Sequence, residues 1–191
     1  SPYRVPAPCR HFGICGGCVW QHVHYPAQVE FKQSMVNDVF RQIGGIPLSA
    51  PLPRHSGQIF HYRNKMEFTF NDRIWLTPEQ IADSSFRAPT FALGLHVPER
   101  FDKVLPVDYC YLQSDKANRC LQTVAEWTST SGLPPYSATD QNGFWRFLVI
   151  RESHSTGELM AHIITTEDHP AILRRLRDEL LKRIPELTSL M

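Results

Sequence analysis

Between residues 26 and 45, apolar side chains recur at Val29, Val36, Val39, Phe40 and Ile43. Their spacing predicts an amphipathic helix with Pro26 in its first turn and a stop at Gly44-Gly45. Pro47, Pro51 and Pro53 then predict an irregular connection. The period changes to two in His61–Asn71, where Tyr62, Met66, Phe68 and Phe70 alternate with Arg63, Lys65, Glu67 and Thr69, so a strand with one wet face is expected. Residues 72–90 read as an excursion with a capped helix start at Thr77-Pro78-Glu79-Gln80, and Phe91–Val97 returns as a strand.

Further along, Ala117, Cys120, Leu121, Val124 and Trp127 share one helical face. Phe144–Glu152 is apolar enough for a central strand, and Glu158–Thr166 is expected to pair with it across the turn at Ser153–Gly157. A last helix begins at Pro170, with Ile172, Leu173, Leu176, Leu180, Leu181 and Ile184 inward and Arg174, Arg175, Arg177, Lys182 and Arg183 on or near its outer face. The expected fold class is α+β, a mainly antiparallel sheet flanked by helices. No internal repeat or low-complexity tract interrupts it.

Composition narrows the function classes. With 191 residues, 42% hydrophobic and 20% charged, the chain has an ordinary globular balance and room for one sizeable core. No apolar run reaches the roughly 18 to 20 residues of a membrane span, so no membrane partner is expected. The net charge is +1, so total charge gives no support to nucleic-acid binding, and a local basic face must carry any such claim.

The strongest chemical signal is Cys9-Arg-His-Phe-Gly-Ile-Cys15-Gly-Gly-Cys18. Thiolates at these gaps, with Gly16 and Gly17 leaving the backbone free to turn, converge on one soft metal or iron-sulfur cluster, which takes four ligands. Of the two remaining cysteines, Cys120 reads as a small buried residue of its helix, whereas Cys110 follows the extended run Leu105–Tyr109 and is taken as the fourth ligand. An odd total of five cysteines argues against a disulfide framework and for a reducing, cytoplasmic setting. Structural zinc stays open, because His11, His22 and His24 lie near enough in sequence to compete as ligands. Gln21 and His22 flank the motif, where a hydrogen bond to sulfur or to ligand backbone would tune it.

Taken in order, the cysteine motif through His22, Tyr25, Lys32, Tyr62-Arg-Asn-Lys65, Leu93-Gly-Leu-His96, Phe101-Asp-Lys-Val104, Cys110 with Leu112, and Ile150-Arg-Glu-Ser153 leading to Gly157-Glu158 resemble the RNA 5-methyluridine methyltransferases. That family includes 23S rRNA and tRNA enzymes, and the resemblance covers nearly the whole chain. It implies a 4Fe-4S cluster on Cys9, Cys15, Cys18 and Cys110, and the cysteine motif favours the rRNA-modifying members. It also implies RNA contact by Arg63, Asn64 and Lys65.

The family reaction adds a cysteine thiolate to C6 of a uridine, after which C5 takes a methyl group from S-adenosylmethionine. The target base must first leave its stack. In the family the nucleophile, the base and the S-adenosylmethionine site lie in a doubly wound catalytic domain, which the resemblance implies is absent from this chain. The expected division is a cluster-binding motif at residues 1–25 after a β-barrel domain, a central RNA-recognition domain at 26–187, and the start of a linker at 188–191. A monomer without methyl-transfer activity of its own is expected. The rival expectation is a stand-alone zinc or iron-sulfur module serving structure or electron transfer, distinguishable by metal content.

Overall fold

A computed structural model describes residues 1–191. The elements run α1 (Tyr25–Gln42), β1 (Lys65–Asn71), α2 (Pro78–Ala82), β2 (Ala92–Val97), β3 (Arg100–Pro106), α3 (Asp115–Ser129), β4 (Trp145–Glu152), β5 (Leu159–Thr165), α4 (Pro170–Arg183) and β6 (Leu187–Leu190). The strands form one six-stranded sheet in the order β3-β2-β1-β4-β5-β6. Every pairing is antiparallel except that of β5 with β6, which is parallel, so the sheet is mixed. No helix is long and apolar enough to cross a membrane.

The chain divides into two compact units, Ser1–Gly13 with Cys18–Ile59, and Ile14–Gly17 with Phe60–Met191. In the first, residues expected to stand apart as a motif fold together with α1. His24 caps the helix by accepting from Ala27 N, and Gln28 Nε2 reaches back to the carbonyls of Trp20 and Val23 at 3.1 and 2.7 Å. Tyr3 and Trp20 meet the Phe31 ring edge-on. Only this N-terminal half of α1 is buried, at Ala27 and Val29. The stripe expected to face a core behaves differently, since Val36, Val39, Phe40 and Ile43 are all exposed, Ile43 at 82%.

In the second unit the strand alternation determines which side is covered. The cross-strand rows Met66–Ile150–Ala161 and Phe68–Leu148–Ile163 lie on one face, and nearly all of their side chains are buried. Lys116, in the first turn of α3, pairs with Glu152 on that same face, so α3 covers it, and α4 packs beside α3. Leu121, Val124, Leu176, Leu180 and Ile184 complete the core. Burying each such side chain is worth about 1.5–3 kcal/mol. Trp145 closes one end of the core, fully buried, with its indole N–H donating to Ser131 Oγ at 3.1 Å.

Two further details differ from the sequence reading. Of residues 188–191, expected to open a linker, the first three belong to β6, where the Thr188 hydroxyl accepts from Leu159 N at 3.1 Å and donates to Leu159 O at 2.9 Å. The first strand begins at Lys65 rather than His61. His61 adopts a φ of 56°, a turn that breaks the alternation and leaves Tyr62 58% exposed instead of inward.

Candidate nucleic-acid interface and cysteine motif

Arg63, Asn64 and Lys65 are exposed side chains on a backbone held from both sides. On one side, His61 N donates to Tyr111 O and Arg63 N to Leu112 O, each at 2.8 Å. The His61 ring lies 2.7 Å from Gln113 O through Nδ1, which therefore carries the proton and donates. On the other side, Glu152 N donates to Asn64 O at 2.9 Å, which continues the β1–β4 pairing one residue past the strand. The Arg63 guanidinium folds back so that Nε donates to Lys65 O at 3.2 Å.

Lys65 stands directly opposite Arg151 in the β1–β4 register, and antiparallel partners share a face. The wet face of β1 therefore carries a local concentration of positive charge that Glu67, 4.0 Å from the Lys65 ammonium, only partly offsets. Sequence reasoning missed Arg151; its signal is the alternation with Val149 on the strand paired to Lys65. Next to Arg151 lies a surface pocket of about 370 Å³, lined also by Ser153, Glu158, Met160 and Ser189.

The loop between β3 and α3 carries Cys110 and is gripped by one face of α3. Asp115 accepts from the Tyr109 hydroxyl at 2.6 Å, Asn118 bonds both backbone polar groups of Cys110, and Gln122 Nε2 donates to Asp108 O at 2.8 Å. The hydrogen bond to Asp115, together with burial, pushes the Tyr109 hydroxyl up to about 12. Cys120, on the same helix, is fully buried, and burial alone pushes its thiol up to about 12. It behaves as the core residue that its helical spacing suggested.

Cys9 and Cys18 belong to the first unit and Cys15 to the second. No cysteine forms a disulfide. Gln21 Oε1 accepts from Cys9 N at 3.3 Å, so the bond from Gln21 goes to backbone. Gly17 N donates to Cys15 Sγ at 3.4 Å, the contact that stabilises negative charge on a thiolate. Gly16 serves close packing, because a Cβ there would sit 3.2 Å from Pro98 Cγ. The chemistry of this donor set fits a thiolate-held cluster. No group of three or more His, Cys, Asp or Glu is placed to hold a metal ion.

No family model matches the chain. A protein of Bacteroides thetaiotaomicron named as an uncharacterized RNA methyltransferase is 39% identical over all of the chain, which covers 43% of that protein. One of the same name from Chlorobaculum tepidum is 38% identical over 97% of the chain and 39% of its own length. A third, from Porphyromonas gingivalis, is 35% identical over the whole chain and 42% of its own length. The chain thus spans about two fifths of the length of these relatives. Among solved structures, Pyrococcus abyssi tRNA (uracil-54, C5)-methyltransferase in complex with S-adenosyl-L-homocysteine matches with a TM-score of 0.58 at 24% identity. The match covers 91% of this chain and 35% of that one, and it shows a shared fold. By sequence along its whole length, the chain is related to a portion of proteins named RNA methyltransferases.

Proposed function

We propose that this chain supplies the RNA-recognition part of an S-adenosylmethionine-dependent methyltransferase that forms 5-methyluridine in 23S rRNA. The observation that carries this reading is the exposed trio Arg63, Asn64 and Lys65 on a backbone anchored at both ends, with Arg151 opposite Lys65. A fixed backbone lets a guanidinium and an ammonium meet phosphates without first paying the ordering entropy of a loop. Arg63 binds a phosphate or fills the gap left by an unstacked base, Lys65 supplies a point charge, and Arg151 a second guanidinium. S-adenosylmethionine supplies the methyl group when bound; this chain's part is to hold the RNA in register.

Cys9, Cys15, Cys18 and Cys110 are the residues that would hold a 4Fe-4S cluster, and the three-cysteine motif is what supports rRNA over tRNA as substrate. Nothing in the methyl transfer consumes electrons, so a structural or RNA-docking role for the cluster is more economical than a redox one.

Fluorescence anisotropy with a uridine-containing 23S rRNA fragment, read at several salt concentrations, tests the RNA reading. Arg63→Ala with Lys65→Ala is expected to weaken binding and to flatten the salt dependence by nearly one logarithmic unit per lost phosphate contact. Unchanged affinity and slope would remove the RNA assignment. Iron and acid-labile sulfide in protein purified without oxygen test the cluster: about four of each per chain are expected. One zinc and no sulfide would replace it with a zinc module.

A further inference from the structure

Asn118 is buried, with 1% of its surface exposed, and both ends of its amide are used. Oδ1 accepts from Cys110 N at 2.8 Å and from Gln113 Nε2 at 2.9 Å. Nδ2 donates to Cys110 O at 3.0 Å and to Ser114 O at 3.1 Å. The stretch pinned in this way is the one whose next carbonyls, on Tyr111, Leu112 and Gln113, hold His61 and Arg63. One side chain therefore stands between a candidate cluster ligand and the backbone of the candidate RNA contact. From Cys110 the connection runs through Tyr111 to Leu112, whose carbonyl accepts from Arg63 N.

We propose that Asn118 is a positioning residue that couples the backbone of Cys110 to the Arg63–Lys65 segment, so that a displacement of the Cys110 loop changes how the segment meets RNA. This rests on the RNA reading of Arg63 given above. A buried amide satisfied at both ends is costly to disturb, and it transmits displacement because close-packed surroundings offer few alternative arrangements. Linkage makes the effect reciprocal: a group bound at Cys110 that rigidifies its loop favours the segment's RNA-bound geometry, and bound RNA favours that group.

The test uses Asn118→Ala in the full chain, with hydrogen exchange and RNA affinity as readouts. Exchange at the amides of Cys110, His61 and Arg63 is expected to accelerate at least about tenfold, while amides of the β4–β5 ladder stay protected. Affinity for the rRNA fragment is expected to fall about tenfold, and Asn118→Ala with Arg63→Ala is expected to bind no more weakly than Arg63→Ala alone. A purely structural side chain would give additive losses, and that result overturns the proposal. Unchanged exchange at His61 and Arg63 overturns it too. If Asn118→Ala loses protection throughout, Asn118→Leu decides, since it keeps the branched shape of the side chain without adding a charge and loses only its hydrogen bonds. Selective deprotection at 61 and 63 in that variant supports the coupling, and uniform loss refutes it. If Arg63→Ala leaves RNA binding unchanged, the RNA reading fails, and exchange at His61 and Arg63 alone decides whether Asn118 couples the loop to that segment.

Discussion

The Lys116 ammonium lies 3.1 Å from the Glu152 carboxylate, and the two side chains are only 17% and 9% exposed. Lys116 also donates to Gly157 O at 2.6 Å, while Glu152 N donates to Asn64 O. One ion pair thus joins the first turn of α3 to the end of β4, to the turn after it, and through Asn64 to the segment that carries Arg63.

Lys116→Met leaves the Glu152 carboxylate withdrawn from water with no cation beside it. The expected loss is roughly 3 kcal/mol in urea unfolding, because an uncompensated buried charge is costly. Lys116→Met with Glu152→Leu is expected to recover most of that loss, which would separate the cost of the stranded charge from the worth of the pair. An equal loss in the double variant would contradict this account.

Gly94 lies in β2 where a Cβ would fall 1.9 Å from Leu105 O and 2.8 Å from the Leu105 carbonyl carbon. Neither atom belongs to a flexible side chain, so Gly94→Ala must push β2 and β3 apart. A destabilisation above about 3 kcal/mol is expected, of the kind seen when strain enters a packed element. Hydrogen exchange should localise it to the β2–β3 pairing, with β4 and β5 unaffected.

The Cys120 thiol is raised from 9.0 to about 12 by burial. Its folded-state value lies above the unfolded one, so its contribution to stability is fully present below pH 9 and is lost as pH rises from 9 toward 12. Unfolding free energy measured across that window is expected to fall, and Cys120→Ala is expected to flatten the fall. The same burial predicts that a maleimide labels the half-buried Cys9, Cys15 and Cys18 of metal-free protein well before Cys120, which mass spectrometry resolves.

Arg63→Ala by itself should leave thermal stability within about 0.5 kcal/mol of the parent, since its side chain is exposed and makes one local bond to backbone. A larger loss in thermal unfolding would show that Arg63 serves the fold instead of a partner.

The elements were legible where periodicity is strong and local. The alternation of Met66, Phe68 and Phe70, the face shared by Ala117, Leu121 and Val124, and the pairing of 144–152 with 158–166 follow from side-chain spacing alone. The capping box at Thr77 and Gln80 was equally readable, because its hydrogen bonds span three residues. The extension of β1 to His61 was not sound, because the positive φ at His61 is set by bonds to residues some fifty positions away. In α1 the helix was legible but its buried stripe was not, since amphipathicity does not say what covers an apolar face.

By itself, the sequence determined the α+β class, the helix and strand segments of strong local periodicity and the buried place of Cys120, all consequences of residue type and short-range spacing. Only the tertiary structure decided that 187–190 pair in parallel as β6, that Arg151 stands opposite Lys65, and that Asn118 links the Cys110 loop to Arg63. Those relationships join residues far apart in the chain, and which of many compatible partners a strand edge or a buried amide takes is settled by the packing of the whole core.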